Sequence, residues 1–208
     1  MTSNMPVKIN LRIGLLLDSM FIQAWKIRAL DALTCLEAVE ISAVVLVQSS
    51  SQKLDSQPGL LFRLFSRVDH RLFLRGSCAE ELQPLTILSE SIPVIRTTYE
   101  ALSKSDEQRL LDEHLDILVE LGENFQAIHF QSLAKFGVWS FRFGSHAQKA
   151  GKFNAFYEVL NHPAPTSVEL LMFSTLVPNG FALYRTCCST HMFSPARARN
   201  KLFWLASS

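Results

Sequence analysis

The chain has 208 residues, 48 % of them hydrophobic and 19 % charged, and 20 Lys and Arg against 19 Asp and Glu leave a formal charge of +1 at pH 7. That is enough apolar material for the core of one medium-sized globular domain, and the near-neutral balance supplies no overall positive field to draw the chain onto nucleic acid or an anionic membrane. Eight Gly and eight Pro exclude collagen-like or low-complexity sequence, and no apolar run approaches the ~20 residues of a membrane-spanning helix. Neither nucleic acid nor a membrane is expected as a partner.

The four cysteines, Cys35, Cys78, Cys187 and Cys188, form no C-x-x-C pair and are too sparse for a disulfide scaffold, so reduced thiols are expected. The segment Met1 to Asn10 has no apolar stretch followed by a cleavage site, and no Asn stands in an N-x-Ser/Thr sequence. A cytoplasmic location is the expectation, with one domain over 1–208, a flexible 1–10 and no sign of an oligomer.

In chain order, Leu11 to Leu17 is a continuous apolar run that suits a strand covered on both faces. Asp18 and Ser19 offer a helix cap, with Ile22, Trp25, Ala29 and Leu33 at helical spacing behind them. Glu40 to Val47 is β-rich, so the opening reads as a βαβ unit and predicts a parallel sheet. After the loop signals at Ser49–Lys53 and Pro58-Gly59, Leu60 to Leu74 interleaves apolar and basic residues as an amphipathic helix. A sheet-covering or hinge role is expected there rather than a partner or membrane-surface role, because Asp69 breaks the basic face.

Ile92 to Arg96 predicts a third strand, which Pro93 places near an edge, and Ser105 with Gln108 predicts a capped helix through Glu113. Leu115 to Leu121 reads as a buried strand ending at Gly122, and Ala127 to Lys135 as a helix stopped by Phe136-Gly137. Val138 to Phe143 alternates as a strand, Gly144-Ser145-His146 leads into a loop, and a helix is expected over Ala155 to Leu160. Ser167 to Phe173 and Phe181 to Thr186 follow as strands with Pro178-Asn179-Gly180 as their turn, and Ser194-Pro195 opens a last helix.

Such alternation predicts an α/β fold with a mostly parallel sheet of about six or seven strands. Ligands then gather at the carboxyl ends of the strands, near Asp18-Ser19, Gly122 to Asn124 and Arg142 to His146, with the turn at Pro178 as a further candidate. The first of these loops has no glycine, which argues against a dinucleotide or nucleoside triphosphate cradle. No G-x-S-x-G or H-E-x-x-H occurs.

Several segments in order carry a family likeness: Gln23-Ala24-Trp25, Leu115 to Val119 ending at Gly122, Phe136-Gly137-Val138-Trp139-Ser140-Phe141, Phe156 to Val159, Thr166 to Leu170, and Arg199 to Trp204. Together they resemble the N-terminal, Rossmann-like domain of the formyltransferases that use 10-formyltetrahydrofolate, nearest to a "formyltransferase-like" subgroup. The resemblance spans Leu11 to about Leu205. It implies a three-layer sandwich, a role in one-carbon metabolism, and transfer of a formyl group to an amine acceptor such as an amino sugar. In the family a G-V-x-N-x-H strand brings Asn and His to the reaction, and a D-x-G turn brings an Asp.

Gly137-Val138 is kept here, the Asn position becomes Ser140, the His position becomes Arg142, and the Asp position maps to Pro178 with Gly180 kept. The subgroup's W-S-x-H-H-G-D stretch fits Ser140 and Gly144, with Arg142, Phe143 and Ser145 replacing His, His and Asp. The resemblance therefore implies Ser140 and Arg142 at the developing oxyanion, His146 as the proton carrier, and the folate pterin against the backbone of Val119, Glu120, Leu121 and Gly122 and the loop to Phe125. The alternative expectation is a non-catalytic binding or scaffold protein that keeps the fold, because the Asn, His and Asp functions are all replaced and no Arg serves as a base near neutrality.

Four further constellations have blander readings. Cys187-Cys188 with His191 has ligand-type residues, but adjacent strand residues point to opposite faces, so no zinc site is expected. Asp112-Glu113-His114 and the basic residues Arg197, Arg199 and Lys201 read as solvated helix surface. Glu120 is the more unusual carboxylate, since within an apolar strand it either shifts its pKa or finds a cation, for which Arg142 on a neighbouring strand is a candidate.

Overall fold

The computed structural model describes residues 10–48, 60–74, 76–86, 92–98, 102–122, 129–144, 165–191 and 193–208. Its centre is β1 (Leu11–Leu17), where Leu15, Leu16 and Leu17 are fully buried. A strand alternates its side chains, so full burial of three successive residues means that both faces are covered. The strand β3 (Val39–Gln48) pairs with β1 in parallel on one side and β6 (Ile117–Glu120) on the other. Outward from these, β5 (Val94–Thr98) forms one edge, and β7 (Val138–Phe143) continues the parallel set beyond β6.

Two antiparallel strands, β8 (Thr166–Ser174) and β9 (Val177–Cys188), complete a seven-stranded sheet of order β5-β3-β1-β6-β7-β8-β9. The fold is a Rossmann-like α/β sheet, mostly parallel, as the alternation predicts. A small second ribbon pairs β2 (Phe21–Gln23) with β4 (Leu82–Pro84).

Two apolar layers follow from the alternation. Leu16, Val45, Leu118 and Val138 meet Leu110 of α3 (Lys104–Asp112) on one face. Leu15, Leu17, Val44 and Val119 meet Leu30 of α1 (Ala24–Thr34) on the other. Each fully buried aliphatic side chain contributes roughly 1.5–3 kcal/mol against exposure, which makes this double-faced core the main stabilising term.

Local chemistry moves several boundaries. Ser19 does not cap α1: its hydroxyl accepts from the Phe21 N–H, the chain runs through β2, and Gln23 stands at the cap. In α3 the cap is Ser103, two residues before the expected Ser105; its Oγ accepts from the Asp106 N–H at 3.1 Å and donates to the Asp106 carboxylate at 2.7 Å. Of the helix expected over Ala127 to Lys135, residues 130–135 form turns and bends instead. Phe130, Leu133 and Ala134 are buried at helical spacing there, yet the turns bring the N–H of Gly137 to the Ala134 carbonyl and end the run. Gly137 has φ +71, and a Cβ on it would collide with the carbonyl oxygen of Phe173.

The turn between β8 and β9 is Thr175-Leu176, set by the pairing of Ser174 with Val177. Pro178-Asn179-Gly180 lies inside β9 as a bulge, with Gly180 at φ +84, the left-handed conformation such bulges place on glycine.

The helix α2 (Leu60–Phe73) forms as expected but does not cover the sheet. It lies on α4 (Pro195–Ala206), whose start is the expected Ser194-Pro195 signal, with Ser194 Oγ accepting from the Arg197 N–H. Asp69 faces inward, not into the basic face: it is 5 % exposed, and its Oδ2 accepts from the Ala196 N–H at 2.8 Å. A carboxylate at a helix N-terminus satisfies an orphan donor and complements the helix dipole. The expected helix over Ala155 to Leu160 lies outside the described residues, as does the expected flexible terminus apart from Asn10.

Candidate functional site

β7 carries two different surfaces. Its odd residues turn toward α1 and α4, where Trp25, 2 % exposed, is held by three aromatic contacts and a side-chain hydrogen bond. Phe141 and Phe143 meet the Trp25 ring edge-on at 5.5 and 5.4 Å, Phe203 stacks on it at 5.6 Å, and Gln23 Oε1 accepts from its Nε1 at 2.7 Å. This side of the strand is filled by packing.

The even residues, Ser140 and Arg142, turn to the α3 side with Val138. Register places Ser140 beside Glu120, the last residue of β6, and both are half-buried. Arg142 stands opposite Glu169 of β8, which in turn stands opposite Arg185 of β9. The result is a polar row across the carboxyl ends of β6 and β7. Directly opposed residues in a sheet have Cβ atoms about 4.5–5.5 Å apart, so Glu120 neighbours Ser140 at one level and Arg142 neighbours Glu169 at the next, two residues further along the same face of β7, with Leu171 opposite Ser140.

Glu169 is almost wholly buried and accepts from Arg185 Nε at 2.6 Å, while the Arg185 side chain is mostly exposed. Among the described residues the half-buried Arg142 makes no comparable bond to Glu169, so the carboxylate is bonded by Arg185 and the second guanidinium keeps its donors. The expected Glu120–Arg142 pairing is therefore replaced by Glu120 beside Ser140 and Glu169 opposite Arg142.

Of the residues expected to hold a pterin, Val119 and Leu121 point into the α1-side core, leaving only main chain to offer. The Leu121 N–H is already given to the Leu16 carbonyl at 3.0 Å. Glu120 and Gly122 reach the surface, whereas Phe125 and His146 lie outside the described residues. Pro178 lies in β9 near the level of Phe173 and Val138, at the amino end of β7 and away from Arg142, so its assignment to the Asp position is corrected.

Glu169 and Arg185 were not singled out in the sequence. The available signal was a charged residue inside each of two apolar strands, but their antiparallel register is needed to bring them beside Arg142. Elsewhere, Glu113 pairs with Arg12 at 3.1 Å and Arg199 with Glu80 at 2.7 Å, which gives these groups structural partners. Cys187 and Cys188 alternate on β9, and among the described residues no three His, Cys, Asp or Glu side chains are placed to hold a metal. Burial raises the Cys188 thiol pKa, opposed by nearby Lys201 and reinforced by Cys187. A cavity of about 780 Å³ opens at the amino ends of β6 and β7, beside His114, Asp116, Lys135 and Leu176. It is at the wrong end of the sheet for a ligand site of the parallel α/β type.

No family model and no curated protein matches the chain. Solved structures do. Phosphoribosylglycinamide formyltransferase from Anaplasma phagocytophilum matches over 95 % of this chain and 80 % of its own, with TM-score 0.56 and 12 % identity. Glycinamide ribonucleotide transformylase 1 from Symbiobacterium toebii matches over 99 % of this chain and 88 % of its own, with TM-score 0.58 and 10 % identity. The fold is that of the formyltransferases.

Formyltetrahydrofolate deformylase from Burkholderia mallei shares it over 96 % of this chain and 63 % of that protein, with TM-score 0.53 and 6 % identity. At such identities the likeness concerns the path of the backbone. Within this formyltransferase fold, the row from Glu120 to Arg185 is the chain's own polar surface at the strands' carboxyl ends.

Proposed function

We propose that this chain is a formyltransferase-like protein whose site accepts a reduced-folate formyl donor, 10-formyltetrahydrofolate, and an amine acceptor such as an amino sugar. The observation that carries the reading is Arg142: a half-buried guanidinium beside Ser140, at the carboxyl end of the parallel strands, with Glu169 bonded by a different arginine. Such a group fits a ligand oxygen that carries or gains negative charge. The main chain at Glu120 and Gly122 would hold the donor's pterin, together with the loop that includes Phe125.

The donor supplies an activated formyl group. Arg142 and Ser140 then act on the formyl oxygen: as an acceptor amine adds to the carbon, the C=O electron pair moves onto oxygen, and both side chains donate to it. The amine must lose a proton, and the folate nitrogen that departs must gain one. Arg142 stays protonated throughout, so the carrier is assigned to His146, beyond the end of β7.

A second reading has its own support. Trp25, Phe141, Phe143 and Phe203 fill the α1 side of β7, and Ser140 and Arg142 stand where the family strand has its Asn and His. This favours a binding protein that keeps the pocket and has lost transfer.

Formyl release in the presence of amino sugars separates the two. Transfer by the parent should fall about 10²-fold or more in Arg142→Ala and in His146→Ala, the size seen when an oxyanion donor or proton carrier is removed. Equal rates in parent and both variants would reject the assigned roles, while folate binding without turnover would establish the binding protein.

A further inference from the structure

The geometry points to α2 as an interfacial helix that seats this protein on an anionic lipid surface, contrary to the expectation from overall charge. A helix that covers a sheet buries its apolar stripe, but here the stripe faces out. Leu61, Leu64, Phe65, Val68 and Leu72 recur at helical spacing and are all exposed, Leu61 by 81 % and Leu64 by 60 %. The opposite side, through Phe62, Ser66 and the buried Asp69, is the one turned toward α4.

The charge pattern says what covers the stripe. Arg67 and Arg71 stand one turn apart along its edge, both exposed, preceded one turn earlier by Arg63, which has an interaction of its own, and the only acidic residue of the helix is Asp69. Its Oδ2 is bonded to the Ala196 N–H in the interior, so it does not offset the arginines at the surface. The exposed part of α2 is therefore purely apolar and basic. A helix with low net hydrophobicity, an apolar stripe of Leu and Phe, and arginines beside it lies in the headgroup plane of a bilayer.

A second copy of this chain would bring the arginine rows near one another with no acidic side chain on the helix to answer them, whereas anionic headgroups neutralise them. The helix is about 20 Å long, so it lies on the membrane and does not cross it. Among the described residues no helix is long and apolar enough to span.

The test is co-sedimentation of the full chain with phosphatidylserine–phosphatidylcholine vesicles, with pure phosphatidylcholine in parallel. The parent should partition onto the anionic vesicles and be released by salt. Arg67→Glu with Arg71→Glu should lower the partition coefficient by about tenfold or more, and so should Leu64→Asp. These side chains are exposed, so melting temperatures should match the parent; if Leu64→Asp fails to fold, Leu61→Ser serves in its place. Absence of parent binding, equal binding to neutral vesicles, or unchanged binding in the variants would overturn the proposal. So would an oligomer without vesicle affinity that Leu64→Asp dissociates, which would make this face a contact between copies.

Discussion

Arg142 is half-buried and stands opposite Glu169, a carboxylate that a different arginine, Arg185, bonds, and on the proposed reading its guanidinium receives an anion. That arrangement depends on Glu169, whose charge limits how strongly the row attracts anions. In Glu169→Gln the Arg185 pair loses its charge-assisted bond. Because Arg185 is largely exposed, the cost should be only about 1 kcal/mol, read as a small drop in the urea midpoint. The same variant should bind an anionic ligand more tightly than the parent; weaker binding would show Glu169 to be a positioning partner of Arg142.

Cys188 gives a second test at this scale. Burial favours its neutral thiol, so its pKa lies above the ordinary value and it should react with iodoacetamide more slowly than the exposed Cys187 near neutrality. The sign for stability follows: the folded state holds this proton more tightly, so the contribution is present below the unfolded thiol's pKa and is lost as pH rises through the folded one. Mass spectrometry of partially alkylated protein resolves the two adjacent sites after fragmentation. Faster labelling of Cys188 would contradict the burial.

Among the elements, α4 is tied to α2 by one buried carboxylate and to β7 by one aromatic cluster. Asp69→Leu should cost about 2–3 kcal/mol, through loss of a charge-assisted bond and an unsatisfied Ala196 N–H, while Asp69→Asn should recover about half. Trp25→Ala should cost about 3–5 kcal/mol as a large buried aromatic is deleted. Chemical denaturation measures both, and values below about 1 kcal/mol would contradict the packing. Gly137→Ala should be equally severe, since it meets both a left-handed φ and the Phe173 carbonyl. The elements differ in how clearly their sequences announce them. Leu11 to Leu17 and Val39 to Gln48 are legible because buried parallel strands are continuous apolar runs. The three-residue β2 and β4 are not, because a pattern that short has no period. The stripe of α2 is legible as amphipathic, but periodicity shows which residues share a face and not whether that face docks. Only the bond from Asp69 to α4 fixes the answer.

For the whole molecule, βαβ alternation fixes the end of the sheet where ligands gather; Arg142 falls there because it lies late in β7, and Ser140 because it stands level with Glu120, the last residue of β6. Glu169 and Arg185 join them only through antiparallel register between strands, information absent from any single segment. Pro178 departs from the expected turn for the same reason: the hairpin closes at Thr175-Leu176, at the other end of the sheet. The central claim is that this carboxyl-end surface still receives a reduced folate, and thermal unfolding during titration with 10-formyltetrahydrofolate tests it most directly. At about a hundredfold excess over Kd, a ligand that binds only the native state adds about 2.7 kcal/mol, which for a chain of this size raises the melting temperature by about 5–10 °C. The account predicts that rise in the parent and a smaller one in Arg142→Ala at the same concentration; an unmoved melting temperature at saturating folate would contradict it.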